Sequence, residues 1–249
     1  MIDKTKKPVA VISGAASGIG LAAAEKFHAQ GYQIFALDKA AINIDDMQTV
    51  QCDVSRVEEI KSAVDTIMTQ TDRIDVLVSA AGIHLSRTIE DTSEEDYFRV
   101  LNTNLTGTFF LLKYILPIMK KQSSGAVVLV ASEQCFVAKP HSAIYGATKS
   151  ALGYLAKSTA IDYAPYHIRV NCVCPGTIDT PLYRKAIQLA SDKSGIPLAD
   201  IEREEAACQL VNRVGRAEEI AESIYFLASD KAEFITGTLL TIDGGYTAR

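Results

Sequence analysis

Tyr145-Gly146-Ala147-Thr148-Lys149 sets a phenol and an ammonium four residues apart, a spacing that on a helix means one face. With 10 tyrosines and 15 lysines among 249 residues such a pair arises readily by chance, so its surroundings must carry the argument. Ser132 ends a β-branched run 13 residues before Tyr145, which puts a hydroxyl where that helix face can meet it. Together the three groups suit reversible hydride transfer between a secondary alcohol and a ketone. A phenol with an ordinary pKa of about 10 is a poor base at neutral pH. A nearby ammonium favours the phenolate and is expected to lower that value. Ser132 can hold the substrate oxygen as charge develops there, and Lys149 can also hold the ribose of a nucleotide cofactor.

A second constellation lies near the N-terminus. Ser13-Gly14-Ala15-Ala16-Ser17-Gly18-Ile19-Gly20 follows the run Val9–Ser13 and opens a helical pattern. Glycines allow a tight turn and a close approach to a pyrophosphate, and a helix start adds unpaired N–H groups and positive potential. A plain tight turn is the competing reading, and the position after a strand favours the phosphate cradle. Asp38 ends the second β run, 18 residues beyond Gly20. A carboxylate there accepts both ribose hydroxyls and repels a 2′-phosphate, which predicts NAD over NADP, with the adjoining Lys39 blunting the choice. Asp53, just past the third run, is placed to bond the adenine amino group.

These groups need a scaffold that gathers strand ends. Val9–Ser13, Gln33–Leu37, Thr49–Cys52, Val76–Ser79, Ala126–Ala131, Arg169–Val173 and Thr238–Ile242 read as strands. Between them Gly18–Gln30, Val57–Thr69, Ser93–Lys121, Ala147–Ala164 and Ala217–Ala228 read as helices. The alternation predicts an α/β fold: a doubly wound parallel sheet, Rossmann-like, in three layers. No linker divides residues 1–249, so one domain is expected. The connection after Asp38 is too short for a full helix and predicts a loop or one turn. The polar helical segment 181–211, inserted after the sixth strand, is expected to act as a lid over the substrate.

Composition bounds the alternatives. A net charge of −5, with no long basic run, argues against nucleic acid and anionic membrane surfaces as partners. Lys4, Lys6 and Lys7 before the small-residue stretch Pro8–Ala24 imitate a signal peptide, but Gly14, Gly18 and Gly20 interrupt it. A cytoplasmic location is the expectation. Cys52, Cys135, Cys172, Cys174 and Cys208 have no disulfide or metal spacing, and no metal site is predicted. Cys172 and Cys174 should share one sheet face. Either His84 or His141 could line the pocket, without a titrating role. Glu133, Gln134 and Lys139 read equally as solvated loop residues or as signs of a hydroxyl-rich or charged substrate. Glu218 and Glu219 mark a helix start, and Arg169 is expected to pair with Asp162.

At the motifs quoted above the chain resembles the short-chain dehydrogenase/reductase family, in order and along essentially its whole length. The glycine turn resembles the family's TGxxxGxG, with Ser13 in place of Thr. Ser79-Ala80-Ala81-Gly82 resembles NNAG with both asparagines replaced, which puts some stabilising bonds there in question. Asn104, in Thr103-Asn104-Leu105-Thr106-Gly107, matches the family's catalytic Asn, implied to hold a water that relays protons to the lysine; without the resemblance it would read as the cap of a helix break. Ser132, Tyr145 and Lys149 match the other catalytic positions. Asp243-Gly244-Gly245 matches the C-terminal turn. The resemblance places the cofactor against Gly14, Ser17, Gly18, Ile19 and Gly20, against Asp38, Asp53 and Val54, and against Ser79, Ala81 and Gly82. Tyr145, Lys149, Pro175, Gly176, Ile178 and Thr180 complete that set. It also implies a homotetramer joined through Asn104–Lys121, Ala147–Ala164 and the C-terminal strand.

The short connection after Asp38 resembles members acting on cyclic diols. Thr180-Pro181-Leu182-Tyr183 and the ending Asp243–Thr247 resemble sugar dehydrogenases of the L-fucose type. A sugar or cyclic diol is therefore the expected substrate. Reduction of a 3-oxoacyl thioester or another carbonyl compound is the alternative, and a non-catalytic NAD-binding sensor is the alternative of another class. A nucleotide-sugar epimerase would need an extra C-terminal domain for which this chain has no room.

Overall fold

The computed structural model describes residues 7–42 and 46–248. In chain order the elements are β1 (Val9–Ser13), α1 (Gly18–Ala29), β2 (Gln33–Asp38), β3 (Gln48–Gln51), α2 (Val57–Met68) and β4 (Val76–Ser79). There follow α3 (Glu94–Leu101), a π-helical turn (Asn102–Thr106), α4 (Gly107–Gln122), β5 (Gly125–Val130), α5 (Ala143–Tyr163) and β6 (Ile168–Pro175). The chain ends through β7 (Ile178–Asp179), α6 (Pro181–Ser194), α7 (Leu198–Ala207), β8 (Gly215–Arg216), α8 (Ala217–Ala228) and β9 (Leu239–Ile242).

Seven strands form one parallel sheet in the order β3-β2-β1-β4-β5-β6-β9. Every residue of β1 and β4 is buried, as expected of strands covered on both faces. One face carries Phe35, Leu37 and Leu129 under α2, α4 and α5, through Ile60, Leu111, Ile115 and Leu152. The other carries Ile12, Ile34 and Val128 under α1 and α8, through Phe27, Ile220, Ile224 and Leu227. The run Ala22-Ala23-Ala24 lets α1 lie close to its neighbours on this face. The result is a single three-layer, Rossmann-like domain, as the alternation predicts. Strand order reverses between β1 and β4, the switch point where parallel sheets of this kind open a crevice beyond their carboxyl ends.

Several local expectations are corrected. Ser93–Lys121 is helical nearly throughout, as α3 and α4 joined through the π turn. A Cβ at Gly107 would lie 2.7 Å from the Val54 carbonyl oxygen, so α4 begins at a glycine pressed against the loop after β3. Helix α5 starts at Ala143 rather than Ala147, which puts Tyr145 in its first turn. Arg169 does not reach Asp162. Its guanidinium donates to the carbonyls of Leu227, Ala228, Ser229 and Ile235, closing the C-terminal end of α8. The pair β7–β8 was too short to show in the sequence pattern.

Two other readings hold. Cys172 and Cys174 are buried in the same core. At the start of α8, Glu219 accepts from the Arg216 N–H at 2.8 Å. Residues 43–45 of the connection after Asp38, together with Lys4 and Lys6, lie outside the described residues. Among the described residues no helix is long and apolar enough to cross a membrane, and no cluster of His, Cys, Asp and Glu could hold a metal ion.

Candidate active site

Two cavities of about 440 Å³ each open along the carboxyl edge of the sheet and share Ile19, Ala80, Gly82, Thr180 and Leu182 as common walls. The first belongs to the glycine turn. Gly14 and Gly18 have positive φ (71° and 55°), where a side chain would be strained. A Cβ at Gly20 would lie 2.1 Å from the Gly14 carbonyl oxygen, so the turn folds onto its own helix. Ser13 substitutes for threonine without loss of the tie to β4: its Oγ accepts from the N–H groups of Ala80 (3.2 Å) and Ala81 (3.3 Å). Asp38 stands beside the turn and accepts from the Ala16 N–H at 3.1 Å and the Ala40 N–H at 3.0 Å. Ser17, Lys39, Asp53, Val54 and Ala81 line the same cavity. Asp53 accepts from the Ser55 N–H and hydroxyl, and those bonds keep its carboxyl below the usual range against the opposing effect of burial. A glycine cradle, a helix start and a carboxylate at the far end fit a nicotinamide dinucleotide, with the pyrophosphate on the turn and the adenosine ribose at Asp38.

The second cavity holds the chemical groups. Ser132, Tyr145, Lys149, Pro175, Gly176, Ile178 and Thr180 all line it, so the structure brings these residues together. Lys149 is buried and donates to the Val130 carbonyl at 2.9 Å, with its ammonium 5.7 Å from the centre of the Tyr145 ring. Burial pulls the Lys149 pKa down to about 8. Burial also pushes the Tyr145 phenol well above its ordinary value, and the nearby Glu133 carboxylate adds to the rise. The expected depression of Tyr145 by Lys149 is thus not found in the protein by itself: desolvation outweighs it. His84 packs edge-on against Tyr145 with ring centroids 4.8 Å apart. Its pKa is lowered by burial and by Lys139, which keeps the imidazole neutral near pH 7. His141 is exposed, in a left-handed conformation (φ 57°), and is not among the lining residues.

Asn104 and Ser79 line neither cavity. They are buried behind the shared wall. Asn104 Oδ1 accepts from the Ile83 N–H at 2.8 Å, while its Nδ2 donates to the Ile83 carbonyl at 3.0 Å and to Thr148 Oγ1 at 3.2 Å. Its own carbonyl accepts from Thr108 Oγ1 at 3.0 Å. Thr108 Oγ1 also lies 2.9 Å from Ser79 Oγ, so a serine in the asparagine position still finds a partner. Gly82 lies close to the site, since a Cβ there would sit 3.3 Å from Lys149 Nζ and press on it.

The environment of Ser132 was not legible in the sequence. Glu133 is 3% exposed, not solvated. It accepts from Ser132 Oγ at 2.6 Å and pairs with Lys139 Nζ at 2.7 Å. Across the cavity stand Tyr183 on α6 and Glu205 on α7, the latter accepting from Thr177 Oγ1 at 3.1 Å. Tyr183 Oη is buried with no hydrogen-bond partner among the described residues. Acidic and aromatic letters in a polar helical segment gave no hint of which would turn inward.

The chain matches, over residues 14–247, the family model described as enoyl-(acyl carrier protein) reductase. It is 35% identical over 242 residues to dehydrogenase/reductase SDR family member 6 of Xenopus laevis, covering 96% of this chain and 97% of that protein. Identity is 36% over 252 residues to cis-4-hydroxycyclohexanecarboxylate dehydrogenase of Sinomonas cyclohexanicum, covering 96% of each. The ligand-free structure of aldohexose dehydrogenase from Thermoplasma acidophilum matches with a TM-score of 0.93 and 34% identity, over 98% of this chain and 95% of that one.

Proposed function

We propose, for a chain that belongs to the short-chain dehydrogenase/reductase family, that it oxidises a secondary alcohol to a ketone, or a lactol to a lactone, reversibly and with NAD. The class itself, an oxidoreductase using a nicotinamide dinucleotide, follows from membership. The observation that carries the finer reading is the meeting of Ser132, Tyr145 and Lys149 in one cavity that adjoins the glycine-turn cleft. A nicotinamide held against Ile19, Pro175, Gly176, Ile178 and Thr180 would supply hydride acceptance or donation. Tyr145 takes the hydroxyl proton during oxidation and returns it during reduction. Ser132 holds the reacting oxygen, and Lys149 holds the cofactor ribose while favouring the phenolate. Asn104 acts from behind, fixing the Ile83 backbone and the start of α5 through Thr148.

Asp38 supports NAD over NADP, since its carboxylate occupies the end of the cleft where a 2′-phosphate would fall. Helices α6 and α7 serve as the substrate lid. The polar groups set into the cavity wall, Glu133, Lys139, Tyr183 and Glu205, favour a hydroxylated ring, a sugar or cyclic diol, over a thioester; the similar structure named for an aldohexose points the same way. The catalytic set also favours an enzyme over a sensor that merely binds NAD. Assembly into a homotetramer through α4 and α5 completes the reading.

The test is absorbance at the reduced-nicotinamide band with NAD⁺ or NADP⁺ and a panel of aldoses, cyclic diols and other secondary alcohols. We expect a signal with NAD⁺ and a loss of about 10²–10⁴-fold in Tyr145→Phe. A signal mainly with NADP⁺ would overturn the role given to Asp38, and full activity in the variant would overturn the role of Tyr145.

A further inference from the structure

Ser132 Oγ has one proton, and that proton is directed at Glu133 Oε2, 2.6 Å away. The same hydroxyl also accepts from the Gln134 N–H at 3.2 Å. To hold a reacting carbonyl or alkoxide oxygen by donation, Ser132 must turn its proton away from Glu133. Glu133 then keeps Lys139 as its partner at 2.7 Å but loses a hydrogen bond inside a buried site, which is costly unless another donor takes its place. Lys139 is already paired with Glu133, and His84 is turned edge-on to Tyr145. A hydroxyl of the substrate beside the reacting oxygen can supply that donor.

We propose that Glu133 is a specificity residue that accepts a hydrogen bond from a hydroxyl on the carbon next to the reacting carbinol. Adjacent oxygens of a gauche vicinal diol lie about one hydrogen-bond length apart, the separation between Ser132 Oγ and Glu133 Oε2. One oxygen of the diol meets Ser132 and Tyr145 while its neighbour meets Glu133. The charges on the cavity wall are balanced, Glu133 and Glu205 standing with Lys139 and Lys149, so a neutral hydroxyl is accepted beside the carbinol without leaving a charge unmatched. Tyr183 Oη, buried without a partner on the opposite side, supplies a donor for a further ring oxygen.

This proposal rests on the alcohol-oxidising reading above, and the experiment separates the two. The ratio of kcat/KM for a vicinal cyclohexanediol to that for cyclohexanol is measured with NAD⁺ in the wild type, in Glu133→Gln and in Glu133→Gln/Lys139→Met. The double variant removes the whole ion pair and so leaves no lone buried charge. We expect the wild type to favour the vicinal diol, and both variants to lower the ratio about 10- to 100-fold, as for loss of a hydrogen bond to a charged group. The isomer with its hydroxyls one carbon further apart should behave like cyclohexanol. A ratio that does not change, or a wild type indifferent to the second hydroxyl, overturns the proposal; a residue that merely supports Ser132 would leave the ratio untouched. Calorimetric titration of the same diol into the NADH-loaded proteins reads the subsite without turnover. Binding that weakens in the variants upholds the subsite even if no alcohol is oxidised, and equal or absent binding overturns it.

Discussion

At the scale of single residues, the site combines two groups that burial perturbs in opposite directions. Lys149 is held down to about 8 by desolvation, below the value of about 10.4 that a lysine has in an unfolded chain. Between those values the unfolded chain binds more protons than the folded one, so stability rises with pH across that window. Below it the buried ammonium is a standing cost. Lys149→Met should therefore raise stability at pH 7 by about 1–3 kcal/mol while abolishing activity, seen as a higher urea midpoint with an unchanged slope. A lower midpoint would mean that the bond to the Val130 carbonyl outweighs the desolvation. Tyr145 is displaced upward, first by burial and then by Glu133. In Glu133→Gln the second cause is gone, so the rising limb of kcat/KM for alcohol oxidation against pH should move to lower pH. A limb that stays in place would show that Glu133 does not act on the phenol. The types and spacing of Ser132, Tyr145 and Lys149 were legible in the sequence because helical spacing aligns Tyr145 with Lys149 and the end of a strand sets Ser132 near them. Their electrostatics were not. That balance depends on Glu133 being turned inward, a matter of packing that no local pattern records.

At the scale of elements, strands and their ends were legible because each buried strand is a short β-branched run closed by Gly, Asp or Ser. The π turn between α3 and α4 was not, since nothing in the local helical pattern marks it; Gly107, which follows it, packs against a loop more than fifty positions earlier. That turn delivers Asn104 to a junction of three elements: the loop after β4, α4 through Thr108, and α5 through Thr148. Asn104→Ala removes three side-chain bonds at once and leaves the Ile83 N–H and carbonyl unsatisfied. A loss of about 2–4 kcal/mol is expected, together with faster amide exchange at Ile83 than at the strand residue Val78. Uniform acceleration across β4 would mean that the junction only adds general stability. The start of α8 was read correctly from Glu218 and Glu219, because a helix N-terminus attracts carboxylates wherever it sits. Glu219 is pulled down to about 2, chiefly by Arg213 and the Arg216 N–H. This group is exposed, so its contribution is small; it is present above the ordinary glutamate range and lost as pH falls toward 2.

For the molecule as a whole, the outer faces of α4 and α5 carry large exposed apolar groups among their charged ones. Phe109 is 50% exposed, and Tyr154 and Ile161, seven residues apart on α5, are each 75% exposed. Such a stripe suits the four-chain assembly proposed above, in which two long helices of each protomer meet those of a neighbour. Sedimentation should report about four times the chain mass for the wild type and a smaller species for Tyr154→Glu/Ile161→Glu. A wild type that sediments as a single chain would refute the assembly.

The paired strands β7 and β8 bear on how such a protein can change its diet over generations. They run parallel, joining Ile178 to Gly215 and Asp179 to Arg216, and so bring together the two ends of everything from α6 to α7. That stretch leaves and re-enters the body of the protein at one seam, like a drawer on a single runner. Closure of a loop depends only weakly on how long the loop is. Insertions, deletions or a wholesale exchange of residues within the seam can thus alter what is recognised above Tyr145 while the sheet, the glycine turn and the proton-transfer groups stay as they are. On the lid reading proposed above, part of recognition can thus vary in this stretch, while Glu133 keeps another part beside the chemistry.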